Sequence, residues 1–155
     1  MQPKLPNLFT CKIGIIGLGY VGLPLAVEFA KAKKCLRSGN LIERDVIGFD
    51  INEIRLNELR KGYDKTNEIS SKELSSAKNK LNLTNNKELL TSLDVYIVTV
   101  PTPIDSEKKP DLKLIRNATR TIGTAIKSRS IAQKKLTKGK SSPVIIYEST
   151  VFPGT

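Results

Sequence analysis

KIGIIGLGYVG, Lys12 to Gly22, decides the fold of this chain. An apolar run from Ile13 to Ile16 breaks into three glycines spaced G-x-G-x-x-G, at Gly17, Gly19 and Gly22, and a helix-like segment follows at once. A strand ending in such a turn delivers a dinucleotide's phosphates onto a helix N-terminus, where free amides and the helix dipole favour negative charge. Each glycine has a separate task. Gly17 allows the tight turn, Gly19 lets backbone approach the pyrophosphate, and Gly22 lets helix and strand pack closely. Leu18, Tyr20 and Val21 complete the turn. Taken alone the hexapeptide is a weak signal, because glycine-rich turns also occur where nothing binds. The strand before it and the helix after it give it weight.

Bulk properties set bounds around that reading. A length of 155 residues implies one domain, able to bury roughly 68–70% of its unfolded surface. At 39% hydrophobic and 26% charged, the composition is that of a globular chain rather than a disordered one. Net charge is +11 with no histidine, which raises nucleic acid or a membrane surface as partners. The placement of the charge speaks against both. Most of it lies in two segments. The first holds Lys31, Lys33, Lys34, Arg37 and Arg44, opposed by Glu43 and Asp45; the second holds Lys127, Arg129, Lys134, Lys135, Lys138 and Lys140, with no acid. Neither is interleaved with aromatics for base stacking, so both read as solvated connections. Without histidine there is no imidazole for metal ligation or acid–base catalysis, and Cys11 and Cys35 lack metal-ligand spacing. Glycine breaks and Glu28 make the stretch from Ile13 neither a leader nor a bilayer span. The expectation is a reducing, cytoplasmic setting with no metal, nucleic-acid or membrane partner.

After the turn, Leu23 to Lys34 reads as a helix with Leu25, Ala26, Phe29 and Ala30 as its buried stripe. Pro24 is tolerated because first-turn amides have no intrahelical partner. A short strand, Val46 to Phe49, ends at Asp50. A second helix, about Asn52 to Arg60, is expected to bury Ile54 and Leu59 and to stop near Gly62. Ser70 and Glu73 have capping-box spacing. Leu81 to Thr84 reads as a weak strand, and Val95 to Val100 as a strong buried one closed by Pro101-Thr102-Pro103. Leu112, Ile115, Ala118, Ile122 and Ile126 repeat at helical spacing, and Val144 to Tyr147 reads as another buried strand. Strands alternating with helices predict an α/β fold: a doubly wound parallel sheet, the Rossmann-like dinucleotide-binding architecture.

Asp50 supplies the second half of the fingerprint. An acid ending the second strand accepts hydrogen bonds from the adenosine ribose hydroxyls and repels a 2′-phosphate, which favours NAD over NADP. It lies 28 residues beyond Gly22, against roughly 20 expected, and the basic segment from Lys31 to Asp45 accounts for the excess. That insertion lies at the amino ends of the strands, away from the ligand side. Asp50 is also suited to cap the helix that follows it, and the two readings are compatible. Arg55, one helical turn later, either reaches the same ribose or is a solvated helix charge.

GLGYVGLPLAVEFA, VIGFDIN, TVPTPID with KKPDL, and YESTVFPGT occur in the order and register of the nucleotide-sugar 6-dehydrogenases. Through these four motifs the chain resembles the UDP-glucose/GDP-mannose dehydrogenase family over nearly its whole length apart from the two basic insertions. VPTPID with KPDL, and YESTVFPG, resemble its UDP-N-acetylgalactosamine/UDP-N-acetylglucosamine dehydrogenase branch, which serves surface polysaccharide synthesis. The resemblance implies NAD as cofactor, with Gly17 to Gly22 on the pyrophosphate and Asp50 and Arg55 on the adenosine ribose. Many relatives carry lysine at the Arg55 position. It also places Thr102, in the VPTP turn, near the nicotinamide half, and Thr150, in EST, beside the nicotinamide where it helps place the reacting water. Each of these two threonines is also a strand-end hydroxyl of the kind that bonds local backbone.

Family members oxidise a sugar C6 alcohol to the acid in two hydride transfers through a thiohemiacetal on a cysteine. That cysteine, with its lysine and asparagine partners, lies beyond the EST motif, and neither Cys11 nor Cys35 stands in its place. The resemblance therefore implies that residues 1–155 are an NAD-binding domain incomplete at its C-terminal end, without the substrate and dimerisation domains of the homodimeric family. An exposed apolar sheet edge is expected after Val144 to Tyr147. The leading reading is the cofactor portion of a UDP-N-acetylhexosamine dehydrogenase that binds NAD without turnover on its own. A silent NAD-binding module complementing a separate chain is the second reading. A basic protein holding nucleic acid through its lysine-rich segments, with steep salt dependence, is the third.

Overall fold

The computed structural model describes residues 4–104, 110–134 and 141–151. Among the described residues five strands form one parallel sheet: β1 (Ile13–Ile16), β2 (Val46–Phe49), β3 (Leu81–Thr84), β4 (Val95–Val98) and β5 (Val144–Tyr147). Their order is β3-β2-β1-β4-β5, with Ile13 opposite Val46 on one side and Val95 on the other. Among the described residues the helices are α1 (Gly22–Lys31), α2 (Glu53–Arg60), α3 (Ser71–Ala77) and α4 (Lys113–Lys134), and a 3-10 turn, Lys87–Ser92, leads into β4. The chain winds outward from β1 to β3 and then returns to β4. The winding therefore reverses between β1 and β4, where the carboxyl ends of a parallel sheet open a crevice.

Side chains alternate along each strand, and this divides the interior into two cores. Ile13, Ile15, Val46 and Ile97 face α1, α2 and α3, whose Leu23, Ala26, Val27, Leu56, Leu59 and Leu74 close over them. Ile16, Ile47, Phe49, Tyr96 and Val98 face the 3-10 turn and α4, against Leu90, Leu93, Ile115, Ala118 and Ile122. Each large aliphatic side chain so buried contributes about 1.5–3 kcal/mol. Tyr96 is fully buried and donates its hydroxyl to the Leu90 carbonyl at 2.7 Å, so its polar end adds no orphaned group. Covered on both faces, the sheet is doubly wound as expected.

Several expectations need correction. α1 stops at Lys31 rather than Lys34, and its buried face is Leu23, Ala26, Val27 and Ala30; Leu25 and Phe29 are only partly buried at its margin. β4 stops at Val98 rather than Val100. Ile54 of α2 is 73% exposed, and Leu56 takes the inward place beside Leu59. The capping box at Ser70 and Glu73 is formed as expected, starting α3.

The first basic segment is solvated as expected, with Lys33, Lys34 and Arg37 exposed, but it has its own structure. It folds back on itself through the Lys34–Leu41 bridge and is tied to the N-terminal residues by Glu43 N–H to Phe9 and Arg44 Nη1 to Leu8. Arg44 also lies 5.1 Å over the Phe29 ring, a cation–π contact. The segment does lie at the amino ends of the strands, where the Asp45 carbonyl accepts from Ile13. The second basic segment is partly helix. Arg129 of α4 is buried and bonds the Leu93 carbonyl and the Asp94 carboxylate. Residues 135–140, with Lys135, Lys138 and Lys140, lie outside the described residues. β5 is not a buried strand: Ile145, Ile146 and Tyr147 are 40%, 38% and 41% exposed. It sits at the edge of the sheet, so the exposed apolar edge is present as expected.

Candidate functional site

The carboxyl ends of β1, β2, β4 and β5 bring together the residues singled out in the sequence. Gly17 ends β1 with φ +102°, a left-handed conformation that side chains rarely adopt, and its N–H donates to the Phe49 carbonyl at 2.8 Å. Gly22 opens α1 against the same turn. A Cβ there would lie closer than 3.0 Å to both the Gly17 carbonyl oxygen and the Thr99 hydroxyl. Thr99 is buried and donates its hydroxyl to the Gly17 carbonyl at 2.7 Å, fastening the end of β4 to the turn. Gly19, between them, faces open space, with nothing within 4 Å of where a Cβ would stand. Val21, the N-cap of α1, makes no side-chain cap; the Leu23 N–H donates to the Gly19 carbonyl at 3.0 Å and Pro24 has no N–H, so the amide left at the helix start for another acceptor is that of Gly22.

Leu18 links the turn to the second half of the fingerprint. Its side chain is fully buried, while its peptide is held from both sides. The Leu18 N–H donates to Asp50 Oδ2 at 2.8 Å, and its carbonyl accepts from Arg55 Nε at 2.9 Å. Asp50 also accepts from the Asn52 N–H at 2.9 Å. It does not cap α2; that part falls to Asn52, whose side chain accepts from Ile54 and Arg55. Nor is Arg55 a solvated charge. It is buried, and its Nη2 lies 2.7 Å from Asp64 Oδ1. This inward arginine fixes the rotation of α2 and explains why Ile54 faces solvent.

Asp64 was not singled out in the sequence. Its Oδ1 accepts from the Thr66 N–H and hydroxyl at 3.0 and 2.7 Å, and its Oδ2 from the Glu68 and Ile69 amides at 2.9 and 3.0 Å. Burial pushes this carboxyl up, but the Thr66 hydroxyl, Arg55 and the amides outweigh burial and hold it down at about 2. The spacing Asp64-x-Thr66 is a local turn signal legible in sequence; the link to Arg55 is not. Thr99 was legible as the one polar residue in VYIVTV.

Thr102 and Thr150 also meet. The Thr102 hydroxyl donates to the Thr150 carbonyl at 2.6 Å, and the Ser149 hydroxyl to the Val100 carbonyl at 2.6 Å. The strand-end segments after β4 and β5 are thus stitched together, with Tyr20 and Thr150 exposed beside the crevice. A separate cavity of about 300 Å³, lined by Lys12, Asp45, Lys80 and Leu81 among others, lies at the amino ends of the strands and takes no part in this site. Among the described residues no helix is long and apolar enough to cross a membrane.

A dinucleotide fits what these residues offer: open space over Gly19, an uncapped helix start, an acid at the end of β2 and hydroxyls at the ends of β4 and β5. Known proteins agree. The model of the UDP-glucose/GDP-mannose dehydrogenase family, NAD binding domain, matches residues 11–155. UDP-N-acetyl-D-glucosamine 6-dehydrogenase of Pseudomonas aeruginosa is 45% identical over 143 residues, which cover 92% of this chain and 28% of that protein. Protein CapL of Staphylococcus aureus is 41% identical over 142 residues, 92% of this chain and 27% of its own. Among solved structures, a UDP-D-ManNAc dehydrogenase from Pyrococcus horikoshii superposes with a TM-score of 0.71 at 28% identity, over 92% of this chain and 29% of that one. The chain spans little more than a quarter of the length of the curated relatives it matches.

Proposed function

The chain belongs to the UDP-glucose/GDP-mannose dehydrogenase family, as its NAD-binding domain, and from that premise we propose that it is the cofactor-holding portion of a nucleotide-sugar 6-dehydrogenase. The substrate class is a UDP-N-acetylhexosamine, oxidised at C6 to the uronic acid in a homodimeric enzyme of surface polysaccharide synthesis. The observation that carries the reading is the Leu18 peptide, held by Asp50 on one side and Arg55 on the other, directly after the Gly17 turn. NAD supplies the hydride acceptor when bound. Gly17 to Gly22 would hold its pyrophosphate, Asp50 and Arg55 its adenosine ribose, and Thr102 and Thr150 would lie at its nicotinamide end. The Thr102–Thr150 bond supports the last assignment by fixing the two strand ends relative to each other.

The placement of the thiols supports binding without turnover by this chain alone. Cys11 is buried just ahead of β1, and Cys35 lies in the connection from α1 to β2, both on the amino-end side of the sheet. A thiol nucleophile must reach the reacting carbon, and these two stand at the wrong end. The test is a titration of the chain with NADH, read by the cofactor's own fluorescence because the chain has no tryptophan. Melting temperature is followed in parallel. Saturable binding that weakens ~10- to 100-fold in Asp50→Ala, as expected for loss of a charge-assisted bond, supports the assignment. A chain that melts cooperatively and binds no NADH refutes it.

A further inference from the structure

The connection between α2 and α3 contains a carboxylate that the cofactor reading does not use. Asp64 has no exposed side-chain surface, yet both its oxygens are fully engaged, and one of them faces the Arg55 guanidinium. Arg55 in turn stands at the adenosine end of the site, one hydrogen bond from Leu18 and therefore two from Asp50. In a dinucleotide-binding sheet an arginine in this neighbourhood is the group that accommodates a 2′-phosphate. Here its charge is balanced, its Nε is bonded, and its buried Nη1 has no hydrogen-bond partner among the described residues.

We infer that Asp64 is a specificity-determining residue for the nicotinamide dinucleotide: by holding Arg55 in a buried ion pair, it withholds that guanidinium from a 2′-phosphate. The inference rests on the cofactor reading above and deepens it. Two acids then share the choice of cofactor. Asp50 disfavours the 2′-phosphate by repulsion, and Asp64 does so by keeping the neighbouring positive charge occupied. Without the Asp64 charge, Arg55 is a buried cation with no counter-charge, a state unfavourable enough that the guanidinium turns to any anion within reach. A 2′-phosphate offers that anion, and bidentate geometry suits it.

The test compares NADH and NADPH titrations of the unaltered chain, Asp64→Asn and the double variant Asp64→Asn/Arg55→Gln. The ratio of the NADPH to the NADH dissociation constant is expected to fall ~10-fold in Asp64→Asn and to recover in the double variant. A ratio unchanged in an Asp64→Asn chain that still binds NADH overturns the inference while leaving the cofactor reading intact. An unaltered chain that binds neither cofactor overturns both. Competition on the unaltered chain does not depend on how any variant folds. Displacement of NADH by 5′-AMP but not by adenosine 2′,5′-bisphosphate, which differs from it only by the 2′-phosphate, is expected, and equal displacement by the two overturns the inference.

Discussion

One substitution made at two positions separates the architectural from the cofactor-facing role of the glycine turn. At Gly22 an added Cβ meets the Gly17 carbonyl and the Thr99 hydroxyl inside 3.0 Å, and neither is a flexible chain end. Relief requires α1 to shift off β1 and break the Thr99–Gly17 hydrogen bond. Overpacking of that kind costs about 1–3 kcal/mol and the lost bond about 1 more, together ~2–4 kcal/mol. For a chain of this size that corresponds to a melting temperature lower by roughly 5–15 °C. Gly19→Ala meets nothing within 4 Å and needs no left-handed backbone, so its melting should stay within about 2 °C of the unaltered chain. Its new methyl would occupy the open space proposed for the phosphates, and NADH binding should weaken at least ~10-fold. Thermal melts by circular dichroism and NADH titrations on both variants make the comparison. A Gly22→Ala chain that melts normally refutes the packing argument. A Gly19→Ala chain that binds NADH normally refutes the assignment of the open face to the pyrophosphate.

Asp64 makes the fold sensitive to acid. Its folded pKa of about 2 lies below the ordinary 3.8, so its stabilisation is present above the higher value and is lost as pH falls through the lower one. A loss on the order of 2 kcal/mol is expected between about pH 4 and pH 2. Urea midpoints should fall less over that interval in Asp64→Asn; an equally steep fall would contradict the assignment. The thiols should also differ. Burial raises the Cys11 pKa, whereas the Ser38 hydroxyl and the Ser38 and Arg37 amides lower that of Cys35. Alkylation at neutral pH, followed by peptide mass spectrometry, should therefore modify Cys35 at least ~10-fold faster.

The parts of this fold that were legible in the sequence are those whose causes are local. The apolar run before Gly17, the acid closing Val46–Phe49 and the Ser70–Glu73 spacing each act within a few residues, and each stands where expected. α2 was misread because Ile54, Leu56 and Leu59 give no clean helical stripe, and its rotation is set by Arg55 pairing with Asp64 in another segment. Four apolar residues, Val144 to Tyr147, cannot distinguish an edge strand from a central one, because a short apolar run does not show whether a neighbour lies on one side of the strand or on both. Arg129 was recoverable. Ile115, Ala118, Ile122 and Ala125 mark the inward stripe of α4, and the next step of the same period falls on Arg129. Its charge suggested solvent, while its position pointed inward, where the structure pairs it with Asp94.

The sheet order also has a kinetic consequence. Leu18 and Asp50 hang from β1 and β2, which have partners on both sides, whereas the Thr102–Thr150 bond depends on β5, which has one among the described residues. Local opening in a folded domain begins where the fewest bonds must break together. Amide exchange should therefore be fastest along β5 and slowest along β1. The Thr102–Thr150 side of the crevice is expected to come apart and reform many times for each disruption of the Leu18–Asp50 side. Of the two ends, the one built on Leu18 and Asp50 should be long-lived, and the one built on Thr102 and Thr150 short-lived.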